Sequence, residues 1–162
     1  MQTNSSLQKV SEQQKILPHS RSSDPKTIDP QGQFDELSGM FVQASYNTLL
    51  SYHYLKRPYQ LVPSLLETMP EVSKDGKTIS FQLRKGIHFH DNECFPGGKG
   101  KELTSDDVIY TVKRFSDINI NTRSWFLLNK VVEGLDDFRK LTKKNGANKT
   151  DYSKHNIAGL QK

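Results

Sequence analysis

Cysteine is almost absent from these 162 residues: Cys94 stands alone, so no internal disulfide framework can staple the fold. It lies in a loop context and is expected to be a small, partly buried residue, not a reactive thiol. Apolar residues are also scarce, at 33% of the chain with a mean hydropathy of −0.72. Any core is therefore modest, since small domains bury a smaller share of their surface. No apolar run approaches the about 18 residues that a membrane-spanning helix needs. Residues 1–17 carry only Leu7, Val10, Ile16 and Leu17 among polar neighbours, which is not the pattern of an export leader. No serine sits in a glycine-flanked elbow, so a nucleophile with its base is missing. Gly97-Gly98-Lys99-Gly100 lacks the spacing of a phosphate-binding loop, and no strand leads directly into it. It is expected to be a flexible surface insertion. No internal repeat is visible.

Charge is present in both signs. Lysine and arginine number 23 against 18 acids, a net charge of +5 with a pI near 9.2. That balance invites a nucleic-acid or anionic-surface reading. The densest cationic cluster, Arg139-Lys140 with Lys143-Lys144, has no interleaved aromatics on which bases would stack. A solvated helix face accounts for it better.

The richest stretch is 74–115. Asp75-Gly76 signals a tight two-residue turn of type I′, which needs positive φ at both central positions. Ile79, Phe81 and Leu83 then alternate with Ser80, Gln82 and Arg84, the period of a strand with one buried face. The parity resumes at Ile87 and Phe89 after Lys85-Gly86. Thr104 is a helix N-cap with Asp107 three residues on, and Leu103 and Val108 occupy the two positions of a hydrophobic staple. Val108, Val112 and Phe115 supply the apolar stripe of the helix that follows.

Elsewhere, residues 1–14 read as a disordered segment and 15–20 as a short first strand limited by Pro18. Phe34, Leu37, Phe41, Ala44 and Thr48 recur at helical spacing and predict an amphipathic helix over 34–50. Tyr46, Tyr52, Tyr54 and Tyr59 read as packing aromatics. Asn121 or Thr122 caps a predicted helix through Trp125, Leu128, Val132 and Leu135, weakened by Gly134 at a cost of about 1 kcal/mol. Phe138 and Leu141 continue its apolar face, and Gly146 stops it. The tail from Asn148 is expected to be loosely ordered up to Ile157.

His88 and His90 stand at i and i+2 of a strand and face the same way, with Asp91 or Cys94 nearby as a third group. Zinc needs three or four protein ligands. Two histidines with an uncertain third do not make a metal site, so none is assigned. His90 and Asp91 are read as hydrogen-bonding partners that fix the strand end. Asp106 and Asp107 lie in a helix's first turn, where they complement the dipole and are not expected to catalyse.

Several of these motifs carry a family resemblance. Leu83-Arg84, Lys85-Gly86, Phe89-His90-Asp91, Thr104-Ser105-Asp106-Asp107-Val108, Tyr110 and Arg114 stand in the order and spacing of the signature region of family 5 solute-binding proteins. These are the oligopeptide- and dipeptide-binding components of ABC importers. The run from Asp24-Pro25 to Asp29-Pro30 is similar to the family's segment after its first strand, and Leu61-Val62-Pro63 to its lead into the hairpin. The segments 134–139 and 157–160 fit one branch of the family. The resemblance spans roughly 15–160.

What it implies is an α/β fold: an incomplete lobe of the two-lobed, type II periplasmic-binding architecture, with a mixed sheet and flanking helices. Residues 15–162 would form part of the N-terminal lobe, and the chain would be a fragment, weak or inactive alone. The parent function would be capture of a peptide or similar solute and delivery to an ABC permease in the membrane, without catalysis or cofactor. The parent would be periplasmic; with no leader sequence, the cytoplasm is the expected location of this product. Ligand contact, carried over by position, falls on Gln33, Phe34, Asp35 and Glu36. An equal alternative makes Phe34 the first core residue of a helix and the two acids its N-terminal charges. Rival functions are a small basic module binding nucleic acid or an anionic surface, and a metal-dependent hydrolase built on His88 and His90.

Overall fold

A computed structural model describes residues 23–162. The expected disordered segment at 1–14 and the short strand at 15–20 lie outside the described residues. Helix α1 is Glu36–Ser45, followed by strands β1 (Leu50–Tyr52), β2 (Leu61–Pro63), β3 (Glu71–Val72) and β4 (Ile79–Ser80), then helices α2 (Ser105–Ser116) and α3 (Leu135–Asn145). Short 3-10 turns stand at Pro96–Gly98, Arg123–Leu127 and Tyr152–Lys154.

The strands pair only with their sequence neighbours. β1 runs antiparallel to β2 with Ser51 opposite Val62, and β3 antiparallel to β4 with Val72 opposite Ile79. Isolated antiparallel bridges join Leu66 to Leu83 and His88 to Glu102. The expected mixed sheet does not form among the described residues. Strands joined by short hairpins pair antiparallel, and a parallel pair needs a long crossover that this stretch lacks.

The turn at Asp75-Gly76 differs from expectation as well. Only Gly76 takes positive φ, +69°, and its N–H donates to the Ser73 carbonyl at 2.9 Å. The loop is built on a turn over 73–76 closed by glycine in the left-handed region, instead of the two-residue type I′ form. The Ser73 hydroxyl and the Lys77 N–H both donate to the Asp75 carboxylate, which stabilises this longer loop.

The alternating strand is real in direction but its apolar face is open. Ile79 is 62% exposed and Phe81 45%, whereas Leu66, bridged to Leu83, is fully buried. Helix α1 is also shorter than predicted. It starts after Asp35, and Tyr46 turns the backbone extended (φ −121°, ψ 143°) so that the chain can enter β1. Phe34 and Phe41 remain exposed, and Ser38 is the residue the helix buries.

The core belongs to the helical end. Leu135, Phe138 and Ile157 are buried, with Val112 of α2, Trp125, Leu128, Val132, Leu141, Tyr152 and Leu160 packed around them. Helix α2 begins as its residues dictate: the Asp107 carboxylate accepts from the Thr104 N–H at 3.0 Å and from its hydroxyl at 3.1 Å. The predicted helix through 121–135 is not continuous. Arg123–Leu127 forms a 3-10 turn, and Gly134 (φ +80°) takes the left-handed conformation as N-cap of α3. A residue with positive φ cannot continue a right-handed helix, so the chain changes direction there. Gly146 ends α3 as anticipated, again at positive φ. The tail is more ordered than expected, because Tyr152 packs its ring on Phe138 with centroids 5.7 Å apart.

Candidate functional site

The segment leading into α1 is built from Asp29 outward. Asp29 takes the Gln31 N–H on Oδ1 at 3.0 Å, and its carbonyl accepts the N–H groups of Gly32 and Gln33 at 3.2 and 3.0 Å. A tight turn results, pointing the chain toward Phe34. Thr27 braces it by accepting the Asp29 N–H at 3.0 Å and donating its own N–H to the Ser38 hydroxyl at 3.3 Å.

From α2, Arg114 reaches across. Its guanidinium donates to both Asp29 oxygens, at 3.0 and 2.6 Å, and to Gln31 Oε1 at 2.7 Å. Gln31 returns its amide to the Thr111 carbonyl at 2.8 Å. The Arg114 hydrogen bond holds the Asp29 carboxyl below its ordinary range, against the opposing effect of burial, and Arg114 is correspondingly raised.

The four residues expected to touch ligand take different positions. Gln33 is half-buried, with its side-chain oxygen beside Gly39 of α1. Phe34 is 53% exposed, its ring covered on one face by the Arg123 guanidinium at 4.6 Å. The Phe34 backbone N–H and carbonyl have no hydrogen-bond partner among the described residues. Asp35 is the N-cap of α1: its carboxylate accepts the Ser38 N–H at 2.9 Å and hydroxyl at 2.8 Å, and these bonds lower its pKa. Glu36 opens the helix and is exposed. The acids do serve the helix N-terminus, as the alternative required, but Phe34 is not a core residue: it precedes the helix and faces outward.

The histidine strand takes a structural role. His88 bridges Glu102, and the Phe89 N–H donates to the Lys101 carbonyl at 2.9 Å. Asp91 closes the loop by accepting the Gly100 N–H at 3.0 Å and Lys99 Nζ at 2.6 Å. The expected role of Asp91 at the strand end therefore holds. His88, not His90, has the ring hydrogen bond, 3.1 Å from the Gly86 carbonyl. The glycine loop is organised by these bonds and by the Phe89–Phe95 ring contact at 5.9 Å. Cys94 is exposed within it, not partly buried, since the loop backbone turns through Asn92 to Phe95 and leaves the thiol outside. Among the described residues no three His, Cys, Asp or Glu side chains converge on a common point.

Part of the basic cluster turns inward. Arg139 lies over the Trp125 ring at 4.6 Å and donates to the Ser116 carbonyl at 3.0 Å, while Lys140 pairs with Asp137 at 2.8 Å. A cleft of about 630 Å³ opens between α2 and the C-terminal segment, lined by residues including Lys101, Asp107, Tyr110, Lys113 and Tyr152. Two of its cations are engaged within the protein: Lys101 pairs with Asp107, and Lys113 Nζ donates to the Tyr152 carbonyl at 3.0 Å.

Compared with known proteins, residues 60–152 match the family model for bacterial extracellular solute-binding proteins, family 5, in its middle region. The chain belongs to that family. Among its relatives, the dipeptide-binding protein of Escherichia coli (strain K12) is 37% identical over 109 residues, 65% of this chain and 19% of that protein. Di/tripeptide-binding protein 1 of Pseudomonas aeruginosa (strain UCBPP-PA14) is 41% identical over 58 residues, 36% of this chain and 10% of that protein. Heme-binding protein A of Haemophilus influenzae is 34% identical over 77 residues, 48% of this chain and 13% of that protein. The chain thus spans a fifth or less of the length of these relatives. No solved structure gives a significant match.

Family 5 membership implies the two-lobed type II architecture, and the described residues form a small α/β portion with two small sheets and three α-helices. The family-like motifs meet in space. Asp29 and Arg114, from separate motifs 85 residues apart, form the ion pair described above. The Gly159 N–H donates to the Glu133 carbonyl at 2.9 Å, joining the 157–160 motif to the start of α3. Neither junction is signalled by the residues of a single motif.

Proposed function

We propose that this family 5 chain contributes to extracytoplasmic capture of a peptide or similar solute for an ABC importer, as a binding component and not an enzyme. The observation that carries the reading is the family match over 60–152, together with relatives named for binding dipeptides and tripeptides. A membrane permease is the proposed partner. No helix among the described residues is long and apolar enough to cross a membrane.

Gln33, Phe34, Asp35 and Glu36 are the proposed contact segment. An extended peptide is recognised largely through main-chain hydrogen bonds, which tolerate any side chain. Phe34 supplies an unused N–H and carbonyl beside a half-exposed ring. The Asp35 carboxylate is engaged by Ser38, so the exposed Glu36 carboxylate is the group suited to a ligand's ammonium. These residues make one wall only. Capture in a two-lobed binder needs the opposite wall to close over the ligand.

The test is an NMR titration of the 162-residue chain with alanyl-alanine. The expected result is shifts at the amides of Phe34, Asp35 and Glu36 that do not saturate at micromolar ligand, since an open wall leaves most of a ligand in water. Shifts centred on the cleft beside Tyr110 and Tyr152 would overturn the site assignment. Saturation at micromolar concentration would overturn the one-wall account.

A further inference from the structure

The contact segment is not held by its own helix alone. Helix α1 buries little, with only Ser38 fully enclosed, so its packing cannot fix where Phe34 points. The polar junction beneath it can. We propose that Arg114 is the positioning residue for ligand contact, locking the 29–33 turn so that Phe34 and Glu36 are presented in one orientation; this rests on the proposed function above.

The geometry sets three constraints on one short turn. The two terminal guanidinium nitrogens hold one Asp29 carboxylate oxygen each, and a third bond holds Gln31. The Asp29 carbonyl then receives both Gly32 and Gln33 N–H groups, so orienting Asp29 orients the exit of the turn. Gln31 is held from both ends of its amide, by Arg114 and by the Thr111 carbonyl, which ties the turn to α2 twice. Only arginine offers a planar fork with spare donors; a lysine ammonium is a point charge that cannot hold two oxygens in register. The pair is partly exposed, with side chains 28% and 32% accessible, so its contribution to overall stability is small. A weak contribution to stability combined with tight geometry is what a positioning role requires.

The experiment uses the 162-residue chain and its Arg114→Lys and Asp29→Asn variants, the second retaining shape and an acceptor. Amide hydrogen exchange is followed at Gly32, Gln33 and Ser38 and, as a control, at Phe138 and Gly146 in and after α3. Alanyl-alanine titrations are run on all three proteins. In Arg114→Lys the amides at 32–38 are expected to exchange about tenfold faster, while Phe138 and Gly146 are unchanged. The alanyl-alanine shifts at Phe34 and Glu36 should fall to less than about half, as a loosened segment is competent for a smaller fraction of the time. Asp29→Asn should show the same pattern more weakly. Uniform acceleration, with Phe138 included, would make Arg114 a staple of the whole fold and overturn the proposal. A loosened turn with undiminished alanyl-alanine shifts would overturn it as well, leaving the contact segment itself intact. Absence of any response at 33–36 in the unaltered chain would instead remove the ligand reading, and this role with it.

Discussion

Asp117 is the most consequential polar group in the helical core, and its removal should be measurable. It is 4% exposed, caps the end of α2, and its carboxylate accepts the Tyr152 hydroxyl at 2.7 Å, the Asn119 N–H at 2.8 Å and the Asn119 side-chain amide at 2.9 Å. It thereby ties the end of α2 to the C-terminal turn. Burial pushes its pKa up, but the hydrogen bonds from Tyr152 and Asn119 outweigh it and hold the carboxyl below its ordinary value. Hydrogen bonds to a charged group contribute about 1.5–3 kcal/mol, so Asp117→Asn, which turns a donor toward donors, should cost about that much. Tyr152→Phe removes one of the three donors and should cost about 1.5 kcal/mol. Because the two share one bond, the double variant should fall short of the sum by about 1 kcal/mol.

Urea unfolding followed by the fluorescence of Trp125, which packs on this core, gives the three values. The pH dependence is a second readout. A carboxyl with a lowered folded pKa contributes stability that is present above its unfolded value, about 3.9, and lost as pH falls through the folded one. Stability should therefore drop below about pH 4, and less steeply in Asp117→Asn. Asp29, Asp35 and Asp107 are also lowered and retain part of the slope. Burial and the Asp117 bond raise the Tyr152 pKa, so its contribution is complete below about pH 10 and lost above; Tyr152→Phe should flatten that alkaline limb. Strict additivity of the two substitutions, or an acid slope unchanged in Asp117→Asn, would refute this account.

Three further outcomes follow from local geometry. A Cβ on Gly159 would lie 2.8 Å from both the Glu133 nitrogen and Val132 Cγ1, so Gly159→Ala should cost about 2 kcal/mol in urea unfolding by prising 157–160 from the start of α3. Gly76→Ala meets open space and suffers only its positive φ, a cost of about 1 kcal/mol, so equal losses for the two would contradict the packing argument. Exposed Cys94 should react fully with a thiol reagent in the folded chain without denaturant; protection from the reagent would mean the loop is closed over it.

Where the sequence was informative, its signals were local. Thr104 and Asp107 start α2 and Gly146 stops α3, because each acts through atoms within four residues of itself. The stretch through Trp125, Leu128, Val132 and Leu135 shows the limit of periodicity. All four residues pack in the core as their spacing implied, yet they arrive there through a 3-10 turn and a left-handed glycine. Hydrophobic spacing reports which residues are buried and leaves open how the backbone brings them together. Ile79 and Phe81 carry the alternation of a covered strand face, and no cover for them exists among the described residues.

The proposed contact segment required the most from three dimensions. Arg114 and Asp29 are 85 residues apart, and a single sequence holds no term linking them. Asp35 and Glu36 are adjacent acids that look interchangeable in sequence, equally fit to cap a helix or to meet a ligand. The hydrogen bonds separate them: Ser38 takes up the Asp35 carboxylate from two donors, and Glu36 is left facing solvent one residue on. A carboxylate already accepting two hydrogen bonds has less to offer an incoming ammonium than one that is solvated and unengaged. The helix start thus sorts the pair into a structural acid and an available one, and the available one stands beside the open backbone of Phe34.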